Sequence, residues 1–204
     1  MNTTRHISWI LAAVFGLVSQ LASATIIPYS AVLSGPNESP PNASTGTGSA
    51  TVTINTGAQT MKVDVSFSGL SGGTTASHIH CCTATPGTGV AGVATQVPTF
   101  GGFPTGVTAG TYTHTFDLTA FTTYNPTFEL AHGGTPLDAE AALLAGLAAG
   151  EAYLNIHTTT FPGGEIRGFL SPAAPQGVPE PASLLLFGVA GVALVWSRRS
   201  GRRR

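Results

Sequence analysis

The sequence predicts a mainly β protein, an antiparallel β-sandwich with one short helix, lying between two processing segments at the chain ends. Three observations lead there. Gly (26) and Pro (14) supply close to one residue in five while charged residues are only 8% of the 204, which suits short strands and tight turns better than long helices. Apolar and polar residues alternate in several short segments, most clearly where Met61, Val63, Val65 and Phe67 share one face and Lys62, Asp64 and Ser66 the other; a period of two marks half-buried antiparallel strands. Each end carries an apolar stretch flanked by arginine.

The first of these stretches reads as a signal peptide over residues 1–24. Arg5 is the basic start, Ile7 to Val18 is apolar apart from Ser8 and Gly16, and Ala22-Ser23-Ala24 offers small residues for cleavage between Ala24 and Thr25. The apolar run is shorter than the ~20 residues a bilayer span requires.

Residues 25–172 form the folded domain. Strands are expected at Tyr29–Leu33, Thr51–Asn55, Met61–Phe67, Ser77–Cys81, Thr111–Leu118, Ala152–Thr158 and Glu165–Leu170, each bounded by Gly, Pro or Asn. One helix interrupts them. Thr135 caps it, Pro136 fits its first turn, Asp138 suits its N-terminal dipole, Gly150 stops it, and Leu137, Ala141, Leu144 and Ala148 line one face. Pro162-Gly163-Gly164 turns the chain between the last two strands, where Glu165 and Arg167 share a face as a candidate pair bracing the sheet edge. Thr83 to Gly110 is a Gly/Thr/Pro stretch too long for a plain hairpin loop, and so a candidate partner surface.

Residues 173–204 are a linker and a tail. Val178-Pro179-Glu180-Pro181 precedes an apolar segment expected as a hydrophobic helix at about 182–196, and five arginines close the chain. Arginines beside an apolar helix hold that side in the cytoplasm. The span, about 15 residues, is marginal as a permanent anchor. The formal net charge of −1 conceals an asymmetry: between Thr25 and Val178, Lys62 and Arg167 stand against eight acidic residues, a net charge of −6. So acidic a domain excludes nucleic-acid binding, which needs clustered Lys and Arg.

His78-Ile79-His80-Cys81-Cys82 is the string with the most chemical reach. In an extended strand His78 and His80 face one way and Ile79 the other, while Tyr153, Asn155 and His157 share a face of another strand. If those strands are neighbours, three imidazoles converge. Neutral imidazole, with Cys81 or Cys82 as a further donor, suits copper or zinc. Cys81 and Cys82 are the only cysteines, with three fates open to them: a vicinal disulfide, metal ligation or an intermolecular link. No phosphate loop, nucleophile elbow or complete catalytic constellation is present, and a non-enzymatic protein is expected.

The order Val-Pro-Glu-Pro, apolar helix, arginine cluster resembles the PEP-CTERM sorting signal. This resemblance implies a Gram-negative envelope protein, an exosortase as processing partner, a membrane-held intermediate, and delivery to the cell surface or an exopolysaccharide matrix. Three further segments, Ala31 to Pro41, Ala76 to His80, and Tyr153 to Thr158 continuing through Phe161 to Gly168, are together similar to the CHRD domain first described in chordin. That resemblance implies an Ig-like or superoxide-dismutase-like sandwich and little about activity. Cu/Zn superoxide dismutases also place copper on a His-x-His strand, although nothing here matches their histidine-and-aspartate zinc loop. Two functions follow as expectations: a surface or matrix protein acting by binding or packing, with polysaccharide or matrix protein as partner, or an extracellular copper or zinc protein using His78, His80 and His157. Deleting Val178–Pro181 is expected to abolish surface delivery, measured by cell fractionation; unchanged delivery would refute the sorting role.

Overall fold

The computed structural model describes residues 24–173. The body of the signal peptide, the sorting motif Val178–Pro181 and the expected helix at 182–196 lie outside them. Among the described residues no helix is long and apolar enough to cross a membrane.

Eight strands are joined in one antiparallel sheet: β1 (Ile26–Ser34), β2 (Thr47–Asn55), β3 (Thr60–Ser68), β4 (Thr74–His80), β5 (Gly110–Asp117), β6 (Tyr153–Thr158), β7 (Ile166–Phe169) and the two-residue β8 (Ser171–Pro172). The spatial order is β4-β6-β7-β1-β2-β3-β5, with β8 also pairing to β1. The sheet is continuous and curls over on itself, sandwich-like, around one core. All seven strands expected from the alternation are present. Tyr29, Ala31 and Leu33 of β1, Ala50, Val52 and Ile54 of β2, and Met61, Val63, Val65 and Phe67 of β3 point inward, which is the period of two expressed as burial.

The helical part departs from expectation. There are two α-helices rather than one, α1 (Pro126–Ala131) and α2 (Pro136–Ala149). The end signals of α2 act as anticipated: the Thr135 side chain accepts from Asp138 N–H at 3.2 Å, and Gly150 closes the helix in the left-handed region at φ 72°. Its buried face is different. Ala139, Glu140, Leu143, Gly146 and Leu147 face inward, while Leu137 is 67% exposed. In so alanine-rich a helix several faces are equally apolar, and docking on the sheet decides which one is covered.

The expected Glu165–Arg167 brace is also corrected, because β7 lies between β6 and β1 and is no edge. Glu165 is fully buried and accepts hydrogen bonds from Ser44 Oγ (2.6 Å), Ser71 N–H (2.6 Å) and Thr158 Oγ1 (2.6 Å). Burial pushes its carboxyl up, but those donors outweigh burial and hold it below the usual range. It ties the segment after β1, the turn after β3 and strand β6 into one unit. Gly168 permits the close approach of β7 to β1, since an added Cβ would strike the Val32 carbonyl.

Cys81 and Cys82 are bonded to each other and rest against Gly146 of α2, where an added Cβ would run into both sulfurs. Gly146→Ala is therefore expected to destabilise the domain by about 1–3 kcal/mol in urea unfolding. The cost should shrink in a Cys81→Ser/Cys82→Ser background; an equal cost in both backgrounds would mean the sulfurs do not set the constraint.

Candidate metal centre

The neighbour relation left open by the sequence is present: β4 and β6 pair antiparallel, with His78 opposite Asn155, His80 opposite Tyr153 and Ala76 opposite His157. Ile79, Leu154 and Ile156 fill the core side of this pair and are fully buried. The other side carries the three histidines. One ring nitrogen from each of His78, His80 and His157 lies within 4.8 Å of those of the other two. The rings contact one another at centroid separations of 5.3–6.0 Å. His114 lies on β5 and His132 caps the end of α1, and neither joins the group. Both cysteine sulfurs are committed to each other, so the donors brought together are imidazoles alone.

Each ring is oriented by a backbone carbonyl. His78 Nε2 contacts Pro98 O at 2.6 Å, His80 Nδ1 contacts Ala91 O at 3.0 Å, and His157 Nδ1 contacts Pro162 O at 2.9 Å. A carbonyl only accepts, so each of these nitrogens bears the proton and the opposite nitrogen keeps its lone pair. The nitrogens left over are His78 Nδ1, His80 Nε2 and His157 Nε2, all buried and without a hydrogen-bond partner among the described residues. Metal-ligating histidines characteristically donate their second N–H in this manner, which fixes tautomer and ring angle.

The electrostatics favour neutral rings. Burial depresses the affinity of all three for protons, opposed in each by the bond to its carbonyl. The effect is largest at His80, brought down to about 4, where His78, His157 and Arg167 add repulsion to the burial. Above mildly acidic pH a cation entering the cluster displaces no proton.

Two parts of the site are not recognised as such from the sequence. The first is the segment between β4 and β5, which supplies Ala91 and Pro98 and covers the free edge of β4 through Ala94 N–H to Ile79 O, Cys81 N–H to Gly92 O and Phe100 N–H to Ser77 O. Carbonyl groups belong to every residue, so composition cannot reveal which ones orient a ring. The second is a buried polar column. Tyr153 stacks on His80 with centroids 4.8 Å apart and planes 6° from parallel, and Arg167 lies over the other part of the column, 4.7 Å from the Tyr153 centroid. Arg167 donates to Asn37 O (2.6 Å) and Gly89 O (3.0 Å), and its Nε lies 3.8 Å from Glu38 Oε2. Burial lifts the Glu38 carboxyl to about 7 against the pull of Arg167, and its Oε1 has no partner among the described residues. Glu38 and Asn155 close on either side of Gly164, where a Cβ would meet Asn155 Nδ2 at 2.5 Å and Glu38 Oε1 at 2.8 Å.

Among family models, the CHRD domain matches residues 29–170 and the PEP-CTERM protein-sorting motif matches residues 177–199. Nothing among curated proteins and nothing among solved structures matches the chain.

Because the folded pKa of Glu38 lies above its ordinary value, the native state holds a proton that the unfolded chain releases. Its contribution to stability is thus lost as pH rises from about 4.5 through about 7. Relative to Glu38→Gln, the native protein should lose on the order of 2–3 kcal/mol across that window, read from urea unfolding at each pH. Parallel pH profiles for the two proteins would contradict this.

Proposed function

Since the chain belongs to the CHRD domain family and ends in a sorting motif that implies export and processing by an exosortase, we propose that the mature protein is a non-enzymatic binding protein of the bacterial surface or its extracellular matrix, holding one copper or zinc ion between His78, His80 and His157. The observation that carries this is the set of three buried, unpartnered lone pairs on rings already oriented by carbonyls. Leaving a buried polar nitrogen unsatisfied costs about 1–3 kcal/mol, and a metal ion satisfies all three at once. Imidazole is a good donor to both copper and zinc, and copper stands higher in the affinity order for a given site. Three protein donors leave a coordination position for water or a small ligand, as in open rather than closed zinc sites. The Ig-like or superoxide-dismutase-like character expected of the family fits the curled antiparallel sheet, and polysaccharide or matrix protein remains the partner class this reading favours. No catalytic step is proposed.

The native protein should take up one equivalent of copper or zinc in equilibrium dialysis. His78→Ala and His157→Ala should each lower the affinity by at least about 100-fold, beyond the roughly 10–100-fold that loss of an outer-shell partner of a ligand costs. Uptake well below one equivalent, or undiminished uptake by both variants, would refute the metal centre.

A further inference from the structure

A second place in the fold has the marks of a binding site and shares no histidine with the first. The stretch from Gln96 to Gly101 and the segment from Phe121 to Glu129 line a groove of about 700 Å³, within the usual range for small-ligand sites. The two walls are held together by the Thr95–Tyr124 bridge and by the bond from Asn125 N–H to Ala94 O (3.0 Å). Phe121 is 61% exposed and Val97 47%, an aromatic ring and a branched side chain left in solvent on a domain that has buried most others.

Three polar side chains of the groove keep hydrogen-bonding capacity to spare. Glu129 is only 6% exposed, yet its buried Oε1 has no hydrogen-bond partner among the described residues. Gln96 uses its side-chain oxygen to accept from Gly101 N–H at 2.8 Å, which leaves its NH₂ without a partner among the described residues. The Thr122 hydroxyl is likewise unpaired among them. By contrast Tyr124, on the same wall, gives its hydroxyl to Leu118 O at 2.9 Å and is fully committed.

An occupant of this groove must offer an apolar surface to Phe121 and hydrogen-bond donors to Glu129. A purely apolar guest would cover the Gln96 NH₂ and the Thr122 hydroxyl without giving them a partner, which costs more than the contact returns. An anionic guest would meet a domain of net charge −6. Burial holds the Glu129 carboxyl above its usual range. A sugar ring meets each requirement, with an apolar C–H face for an aromatic platform and a rim of hydroxyls that both donate and accept. We infer that this groove binds a neutral saccharide, one ring lying against Phe121 with its hydroxyls bonded by Glu129, Gln96 and Thr122. The inference gives a site to the polysaccharide-binding half of the proposed function and does not depend on the metal.

The test is a titration of the isotope-labelled, export-processed protein with cellopentaose, laminaripentaose and mannopentaose, followed by amide NMR shifts, with oligogalacturonate as the acidic control and an apolar peptide as the competing occupant. At least one neutral oligosaccharide should give saturable shifts at Gln96, Thr122 and Glu129. Phe121→Ala, at an exposed position, and Glu129→Gln, of equal size, should each weaken that binding about tenfold or more. No saturation with any neutral probe, shifts centred elsewhere, preference for oligogalacturonate or the peptide, or unaffected variants would each overturn the inference. Copper and zinc uptake measured on the same samples separates its failure from failure of the metal centre.

Discussion

The antiparallel pairing of β4 with β6 is the constraint on which the site depends. It places His78 beside Asn155 and His80 beside Tyr153, and brings His157 diagonally within reach of both. Because side chains alternate strictly along a strand, a slip of one residue would send His78 and His80 to the core side and Ile79 to the site. Ile79, Leu154 and Ile156, all fully buried, make that slip costly. The register is thus fixed by hydrophobic burial on one face, and the cluster on the other face inherits its geometry from it. Glu165 secures the same strand from its far end through Thr158.

A fold gains nothing by collecting three imidazoles that each keep a buried nitrogen unpaired. Each ring satisfies one nitrogen through a carbonyl and leaves the other buried and unpaired. Buried polar atoms are nearly always paired, and the three unpaired imidazole nitrogens of this cluster are what the proposed metal ion would satisfy. The depressed basicity of the rings supports the same conclusion, since a proton is a poor partner there. A ligand that accepts electron pairs and brings its own charge fits where a proton does not.

How much of this was legible follows from which forces act locally. Alternation is a local property, and it located every longer strand and the shared faces of His78 with His80 and of Tyr153 with His157. Capping is local too, so Thr135 and Gly150 marked the ends of α2. Which face of α2 is covered depends on the surface it meets, and Leu137 lies out in solvent although it is the larger residue. The six-residue α1, with Asn125 as its cap, is too short to show a helical period. The carbonyls of Ala91, Pro98 and Pro162 are invisible to composition. The pairing of Glu165 with Arg167 failed because strand spacing gives a shared face but not burial, and once buried each charge sought donors or acceptors from distant segments.

The polar column behind His80 explains why the family's three motif segments belong together. Asn37 and Glu38 from the first segment meet Arg167 from the third, Arg167 lies over Tyr153, and Tyr153 stacks on His80 from the second. Tyr153 and His80 also converge on one acceptor, the Ala91 carbonyl. A buried guanidinium needs compensation, and Asn37 O, Gly89 O and Glu38 supply it without touching the histidines. Its charge is then felt at His80 as repulsion of a proton while the aromatic ring between them keeps the guanidinium donors away from the lone pair. Residues that secure the sheet and residues that shape the cluster are therefore parts of one arrangement, in which the same arginine packs β7 against β1 and adds to the burial that keeps a neighbouring imidazole neutral.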